Sequence, residues 1–289
     1  YHYLSGNDIF YETYGGTESI YLAAGYSSGS TTYYKIGYDL KINLDSNNSI
    51  LIEDYFLSSN NKIETLHFDG GPSVNLSSVS YQVQGDDSNN ILNGTTNADI
   101  IYGMGGNDTL YGGNSGDYLY GGTGNDSLYG DSGDDTLEGG AGNDNVYGGS
   151  GNDNFIYTSG HDIFNETSSG NETIGLIPGW QLSDLTFKRI GADLVIEIDG
   201  SNSITLNDQF WSSSDAYAFE TLQIDGESSI NLKTKQYETH GTSSGEVING
   251  IVYGGSIDDT IYGYGGNYTI HGGNGNDTIY GGDGNDTIN

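Results

Sequence analysis

The residues that decide the fold form the nonapeptide Gly-Gly-Thr-Gly-Asn-Asp-Ser-Leu-Tyr at positions 121–129. Variants of this unit follow one another between residues 94 and 156, which gives this stretch a nine-residue period. The sixth position of the unit is an aspartate in every copy: Asp99, Asp108, Asp117, Asp126, Asp135, Asp144 and Asp153, and the same spacing reaches Asp162. Self-similarity at a short fixed period is the signature of a solenoid.

Each unit divides into a turn and a short strand. The first six residues are rich in Gly, Asn and Asp, which tolerate the positive φ angles of tight turns. An apolar residue stands two positions after each aspartate: Ile101, Leu110, Leu119, Leu128, Leu137, Val146, Phe155 and Phe164. In a three-residue strand the middle side chain points inward and its neighbours point outward. The pattern therefore predicts an all-β fold, a parallel β-roll in which two nonapeptides form one coil.

A second, shorter array of the same unit occupies the end of the sequence. Its aspartates are Asp259, Asp277 and Asp286. Tyr268 stands where a further aspartate is expected, and a tyrosine cannot supply a carboxylate. We therefore expect a weak or empty position where Tyr268 faces Asp286.

The arrays alternate with two stretches that contain all seven Lys and Arg residues. These stretches are copies of each other, since the sequence Asp-Ile-Phe-x-Glu-Thr occurs at 8–13 and again at 162–167. Alternating apolar and polar residues on both sides of an Asn-rich or Gly-containing turn predict a β-hairpin at 40–52 and another at 194–206. We expect four domains: β-hairpin-rich modules at 1–84 and 166–240, and β-rolls at 85–165 and 241–289.

Composition and charge exclude several functional classes. The 289 residues carry a formal net charge of -33, which repels nucleic acid. The absence of cysteine excludes disulfides and thiolate metal sites, and no apolar run is long enough for a transmembrane segment. The five histidines are scattered and form no metalloprotease or triad-like pattern. We therefore expect a protein that is not an enzyme in this region.

The aspartate period predicts a metal site. If two nonapeptides form one coil, aspartates 18 residues apart lie in adjacent coils, about 4.8 Å apart. Carboxylates at that distance repel each other, and the arrays contain no Lys or Arg. A cation between the coils would remove the repulsion. Carboxylates together with exposed backbone carbonyls make an all-oxygen cage, which suits Ca²⁺ better than softer metals or Mg²⁺.

The nonapeptides resemble the G-G-x-G-x-D-x-U-x repeat of RTX (repeats-in-toxin) proteins, a calcium-binding parallel β-roll. The intervening stretches resemble the haemolysin-type calcium-binding-related domain. The resemblance implies several Ca²⁺ ions, each shared between aspartates two nonapeptides apart. The implied carboxylate ligands are Asp99, Asp108, Asp117, Asp126, Asp135, Asp144, Asp153, Asp162, Asp259, Asp277 and Asp286. The implied carbonyl donors are Gly113, Gly122, Gly124, Gly140, Gly142, Gly149 and Gly151.

The resemblance also implies a function: a structural repeat region of a large secreted bacterial protein, extracellular, exported by a type I (ABC) secretion system, which folds on binding Ca²⁺ and serves as a rigid spacer. Two alternatives stay open. Outward tyrosines such as Tyr102 and Tyr120, or Tyr111, Tyr129 and Tyr147, form either a structural cross-strand ladder or a stripe for glycan or cell-surface adhesion. An enzyme or toxin activity could also lie elsewhere in a longer parent protein.

Overall fold

The structure is a computed structural model that describes residues 1–3, 5–10, 18–56, 63–168, 170–177, 179–190, 193–209, 219–224, 228–232, 238–240, 247–249, 260–272 and 275–289. The described residues form strands and short 3-10 helices, and none of them lies in an α-helix. The all-β prediction is therefore confirmed. The described part of the chain offers no helix with the length and apolar character needed to cross a membrane.

The strands follow one another along the chain in four groups. Before the first array lie β1 (His2–Tyr3), β2 (Asn7–Phe10), β3 (Glu18–Leu22), β4 (Thr32–Ile36), β5 (Asp39–Asn43), β6 (Ser49–Ile52), β7 (Ile63–Phe68) and β8 (Val74–Asn75), with 3-10 helices at Ser28–Ser30 and Leu76–Ser78. The first array comprises β9 (Gln82–Gln84), β10 (Ile91–Asn93), β11 (Ile100–Gly105), β12 (Thr109–Asn114), β13 (Tyr118–Thr123), β14 (Ser127–Ser132), β15 (Thr136–Ala141), β16 (Asn145–Ser150), β17 (Asn154–Tyr157) and β18 (His161–Asn165). The next group is β19 (Thr173–Leu176), β20 (Thr186–Ile190), β21 (Asp193–Asp199), β22 (Asn202–Leu206), β23 (Thr221–Ile224) and β24 (Ile230–Asn231), with a 3-10 helix at Leu182–Asp184. The last group is β25 (Glu238–His240), β26 (Val247–Asn249), β27 (Thr260–Tyr262), β28 (Thr269–His271), β29 (Thr278–Tyr280) and β30 (Thr287–Ile288).

Successive strands of the first array alternate between two parallel sheets. Strand β11 pairs with β13, and Ile101 lies opposite Leu119. Strand β12 pairs with β14 in the other sheet, and Leu110 lies opposite Leu128. Partners are thus two nonapeptides apart, so one coil contains two units, as the sequence predicts. The parallel β-roll is confirmed.

The interior of the roll is the stripe of apolar residues that the sequence singles out. Every member of the stripe is buried, with at most 1% of its surface exposed. The members are Ile101, Leu110, Leu119, Leu128, Leu137, Val146, Phe155 and Phe164. Burial of one such side chain contributes roughly 1.5–3 kcal/mol, and in a core one residue wide this gain recurs once per strand. The roll therefore has a thin core, and its stability depends on the interactions made in its turns.

The modules continue the sheets of the roll. Strands β5 and β6 form the hairpin predicted at 40–52. Strand β4 adds a third antiparallel strand and pairs in parallel with β9 at the start of the first array. Strands β20, β21 and β22 repeat the arrangement, and β22 pairs with β18 at the end of that array. In the described residues, the sheet of twelve strands extends across the positions 84/85 and 165/166, and the sheet of eleven strands extends across 165/166 and 240/241. Module side chains can consequently reach the end turns of the roll.

Candidate metal centre

The aspartates of the first array are among the most deeply buried charged residues that the structure describes. Each of the eight from Asp99 to Asp162 has only 1–2% of its surface exposed. Their burial follows from the register, since the aspartates from Asp99 to Asp153 each immediately precede a strand of the roll and Asp162 lies within β18. Transfer of a carboxylate out of water is expensive unless a partner compensates for the lost hydration.

One oxygen of each aspartate has a partner that the sequence does not reveal. The backbone N–H of Asp108 donates to Oδ1 of Asp126, 18 residues later, at 2.7 Å. The N–H of Asp117 donates likewise to Oδ1 of Asp135 at 2.7 Å. The same bond recurs along both edges of the roll and ends with the N–H of Asp144 and Oδ1 of Asp162 at 3.0 Å. These hydrogen bonds tie each coil to the next and hold the carboxylates in register.

The second oxygen has no such partner in the middle of the array. Among the described residues, Oδ2 is buried and accepts no hydrogen bond in Asp108, Asp117, Asp126, Asp135, Asp144 and Asp153. Buried polar atoms in native proteins are almost always paired with protein, water or an ion. Six equivalent unpaired carboxylate oxygens, three along each edge of the roll, therefore indicate sites for a positively charged partner.

The turns leave space at these oxygens because glycine stands opposite each one. A Cβ atom built on Gly121 would lie 2.5 Å from Oδ2 of Asp126 and 2.4 Å from the carbonyl oxygen of Gly139, in the next coil. On Gly130 it would lie 2.4 Å from both Oδ2 of Asp135 and the carbonyl oxygen of Gly148. Any larger residue would fill this space between the glycine, the carboxylate and the carbonyl, which we call the cradle. An oxygen of each kind thus faces the same small space.

The cradle carbonyls belong to glycines that the sequence analysis did not single out. They come from the glycine at the first position of successive nonapeptides: Gly112, Gly121, Gly130, Gly139 and Gly148. The predicted donors stand one or three positions later, and all adopt positive φ, between 103° and 143°. These are Gly113, Gly122, Gly124, Gly140, Gly142, Gly149 and Gly151. An ideal Cβ built on each of those glycines would lie less than 2.6 Å from a backbone carbonyl oxygen of the preceding coil.

Burial raises the pKa of the central carboxyls in spite of the backbone hydrogen bonds. The pKa of Asp117 is about 7, that of Asp126 about 6 and that of Asp135 about 8, and burial is the largest cause in each case. Adjacent carboxylates, such as Asp108 and Asp144 beside Asp126, raise it further. Without a metal, the turns therefore favour the neutral form of these carboxyls, whereas the formal net charge of the chain counts them as ionised.

The two ends of the first array differ from its middle. At the first turn, the N–H and Oγ1 of Thr95 donate to Oδ2 of Asp99, at 2.6 and 2.8 Å, so this carboxylate is satisfied by the protein. Nearby, Nζ of Lys35 donates to the carbonyls of Asn93 and Gly94, at 2.5 and 2.9 Å. Burial lowers the pKa of Lys35, and the Asp99 carboxylate partly offsets this effect.

The arrays themselves contain no Lys or Arg, but Lys35 comes near their first turn from outside. It lies in the first module, and the pairing of β4 with β9 places it opposite Val83 at the start of the roll. Its ammonium group binds the carbonyl of Gly94, the first residue of its nonapeptide. In later nonapeptides the carbonyl at the same position faces a carboxylate. A protein cation therefore caps the end of the row.

The second array repeats the geometry in part. Ideal Cβ atoms on Gly272 and Gly281 would lie 2.4 and 2.7 Å from Oδ2 of Asp277 and Asp286, respectively. Tyr268 is buried, its N–H donates to Oδ1 of Asp286 at 3.0 Å, and its ring lies over Gly263, where other turns place a carboxylate. Asp259 lies outside the described residues.

No described group of three or more His, Cys, Asp or Glu side chains converges on a single point. The candidate centres instead combine carboxylate and backbone oxygens, a donor set made entirely of hard ligands. Calcium accepts six to eight such oxygens at about 2.3–2.6 Å in flexible geometry. The six cradles of the first array, each with a buried Oδ2 that accepts no hydrogen bond from the described residues, fit a cation of that class.

The outward tyrosines form stacked columns. Tyr102 and Tyr120 stack with ring centroids 5.1 Å apart, and Tyr111, Tyr129 and Tyr147 stack at 4.9 and 4.7 Å. The planes are within 13° of parallel, so the ring faces cover one another. This is the geometry of a cross-strand ladder, and each pair contributes about 0.2–1 kcal/mol.

Comparison with known proteins agrees with this geometry. The family model of the RTX calcium-binding nonapeptide repeat (4 copies) matches residues 84–119, 111–146, 120–155, 129–164 and 253–288. A search of curated proteins finds no match to the chain. The matched ranges contain every carboxylate with an unpaired Oδ2 in the first array, as well as the second array.

Proposed function

We propose that calcium binding drives the folding of this chain, because the family model of the RTX calcium-binding nonapeptide repeat matches residues 84–164 and 253–288. The observation that carries the proposal is the set of six buried, unpaired Oδ2 atoms, three along each edge of the first roll. Repeats of this family are generally structural rather than enzymatic. The proposed role is accordingly a structural one, in which bound ions replace part of a conventional hydrophobic core.

The proposed ligands combine one oxygen from each aspartate with carbonyls of the turns. The carboxylate donors are Asp108, Asp117, Asp126, Asp135, Asp144 and Asp153 in the first array, and Asp277 and Asp286 in the second. Asp99 is left out because Thr95 satisfies its second oxygen. Asp162 closes the hydrogen-bonded row through Oδ1 and lacks the glycine cradle, since Tyr157 occupies that position.

The carboxylate row explains why the fold would need the ion. Ca²⁺, when bound, supplies positive charge and replaces the hydration that the buried carboxylates have lost. Without it, the aspartates carry like charges in adjacent coils, and the thin apolar stripe must offset both repulsion and desolvation. Because the ion binds the folded turns and not the open chain, its binding free energy becomes folding free energy.

Circular dichroism of the purified chain tests the proposal. In EGTA we expect a coil-like spectrum, and on addition of millimolar Ca²⁺ a β spectrum with a cooperative midpoint. Mg²⁺ at the same concentration is the matched control and should have little effect, because it keeps its waters and demands octahedral geometry. A β spectrum that is the same in EGTA and in calcium would refute the proposal.

We further propose that this coupling serves an extracellular protein. Extracellular calcium modules commonly bind with Kd values of about 10⁻⁴–10⁻³ M, so such a chain stays open at cytosolic calcium levels. An open chain suits export by a type I (ABC) secretion system, and the folded roll suits a rigid spacer. The net charge of -33 supports an open, soluble state before export.

Adhesion through the tyrosine columns is the alternative. It is weaker, since the ring faces that would stack on a sugar already stack on one another. A glycan array probed with the calcium-loaded chain separates the two functions. Specific binding that is lost in Tyr129→Ala would favour adhesion, and no binding would favour the spacer.

A further inference from the structure

The end of the first roll contains a buried glutamate that no nonapeptide pattern predicts. Glu166 follows β18, and only 7% of its surface is exposed. Its Oε1 accepts hydrogen bonds from the N–H groups of Thr167 and Ser168, at 2.7 and 2.9 Å. Its Oε2 is buried and accepts no hydrogen bond within the described residues. Glu166 thus has one tied and one unpaired oxygen, as the array aspartates do.

The unpaired oxygen of Glu166 points into the last cradle of the roll. An ideal Cβ on Gly148 would lie 2.5 Å from Oδ2 of Asp153 and 2.9 Å from Oε2 of Glu166. In the earlier turns the second of these positions belongs to a glycine carbonyl of the next coil, for example that of Gly139 opposite Gly121. Residue 166 stands 18 positions after Gly148, so Glu166 occupies the place of that glycine, and its side chain takes the place of the carbonyl.

The charged groups that interact electrostatically with Glu166 in the described part of the chain are all carboxylates: Asp153, Glu220 and Glu172. Phe155 covers the cradle, with its Cζ 2.9 Å from the ideal Cβ of Gly148, and stacks edge-on against Phe219. Two carboxylates with unpaired oxygens are therefore held beside an apolar wall.

We propose that Asp153 and Glu166 together bind one Ca²⁺ ion in a terminal site whose cradle presents two carboxylates, whereas the cradles of the preceding turns present one each. This inference rests on the proposed function and extends it, because Glu166 lies outside the nonapeptide ranges. Since affinity in oxygen sites rises with the number of charged ligands, the terminal site binds Ca²⁺ more tightly than the repeat sites do. It fills first as the calcium concentration rises and orders the junction between the roll and the following module.

Isothermal titration of the full chain with Ca²⁺ tests the terminal site. Glu166→Gln keeps an amide oxygen that can accept from Thr167 and Ser168 but removes the charge. We expect the tightest class of sites to lose one ion or to weaken by about tenfold. Glu138→Gln is the matched control, because Glu138 lies on β15 and faces away from the cradles, opposite Tyr120 in the sheet. It should leave the titration unchanged.

A double variant guards against a purely structural effect. If Asp153 and Glu166 share one ion, Asp153→Asn combined with Glu166→Gln should cost no more calcium affinity than either change alone. Additive losses would assign the two residues to separate ions and overturn the proposal. A Glu166→Gln titration identical to that of the original chain would also overturn it, while leaving the repeat sites standing. A chain that binds no Ca²⁺ at all would refute the proposed function itself.

Discussion

Replacement of Asp126 by asparagine should separate the two roles of the array aspartates. Oδ1 of Asp126 accepts the Asp108 N–H at 2.7 Å, and an asparagine amide oxygen can do the same. Oδ2, which is buried and unpaired, becomes a neutral amide group. Asp126→Asn therefore preserves the hydrogen bond between coils and removes a carboxylate from the cradle at Gly121.

The substitution has opposite effects on the two states of the protein. Burial raises the pKa of Asp126 from 3.8 to about 6, and each pKa unit corresponds to about 1.4 kcal/mol. With a reduction for residual solvent screening, a neutral side chain relieves about 1–2 kcal/mol in the metal-free fold. The calcium site loses a charged ligand, a change that shifts Kd by decades in oxygen sites. We expect a net rise of about tenfold in the calcium midpoint, equivalent to ~1.4 kcal/mol.

The assay is a calcium titration of the folding transition, followed by circular dichroism. Asp131→Asn is the control: it makes the same chemical change five residues away, on an exposed side chain with positive φ, which asparagine tolerates. We expect its midpoint to stay within about twofold of the unmodified chain. If Asp126→Asn and Asp131→Asn shift the midpoint equally, the unpaired oxygen of Asp126 is not a ligand and the reasoning fails.

Three further predictions follow from the same geometry. Gly121→Ala puts a methyl group 2.4–2.5 Å from the cradle oxygens and should raise the calcium midpoint at least as far as Asp126→Asn. Gly200→Ala is the control, because a Cβ there meets nothing within 4 Å, and it should leave the midpoint unchanged. Equal midpoints for the two variants would show that the ion does not occupy the space at Gly121. Tyr268→Asp should add one bound ion in calorimetry by opening the space over Gly263, and Tyr264→Asp, at a position 54% exposed, should add none. In EGTA, acidification from pH 8.5 to 5 should increase the β signal, because buried carboxyls whose pKa lies at about 6–8 in the fold stabilise it when protonated. That stabilisation is complete below about pH 4 and is lost as the pH rises through 6 to 8, so a β signal that falls on acidification would count against the burial of the row.

Much of the roll could be predicted because its determinants repeat within nine residues. The period places Leu119 and Leu128 inside and Asp117 and Asp126 at the turns, and stacking follows once two units make one coil. Tyr268 likewise predicts that one carboxylate is absent from the second array, and its ring lies over Gly263, where other turns place a carboxylate. Local pattern suffices here because each coil contacts only its neighbours, so the same solution recurs at every step.

The partners of the carboxylates could not be predicted in the same way. The period does not tell that Oδ1 of Asp126 is tied to a backbone amide or that the cradle carbonyl belongs to Gly139 rather than to Gly140. These details depend on how one turn sits over the next, at atomic distances that residue spacing does not determine. The three boundaries between the four predicted domains remain a prediction, and the sheets continue through them.

The sequence by itself determined the coil, its apolar stripe and the row of aspartates, because a short repeat forces identical units into identical contacts. Only the tertiary structure decided how the row ends. Lys35 reaches the first turn from a position 59 residues before Gly94, and Glu166 enters the last cradle from beyond the repeats. Both contacts arise where a module strand joins the sheet of the roll, and at such a junction the nine-residue period no longer determines which side chain meets the turn.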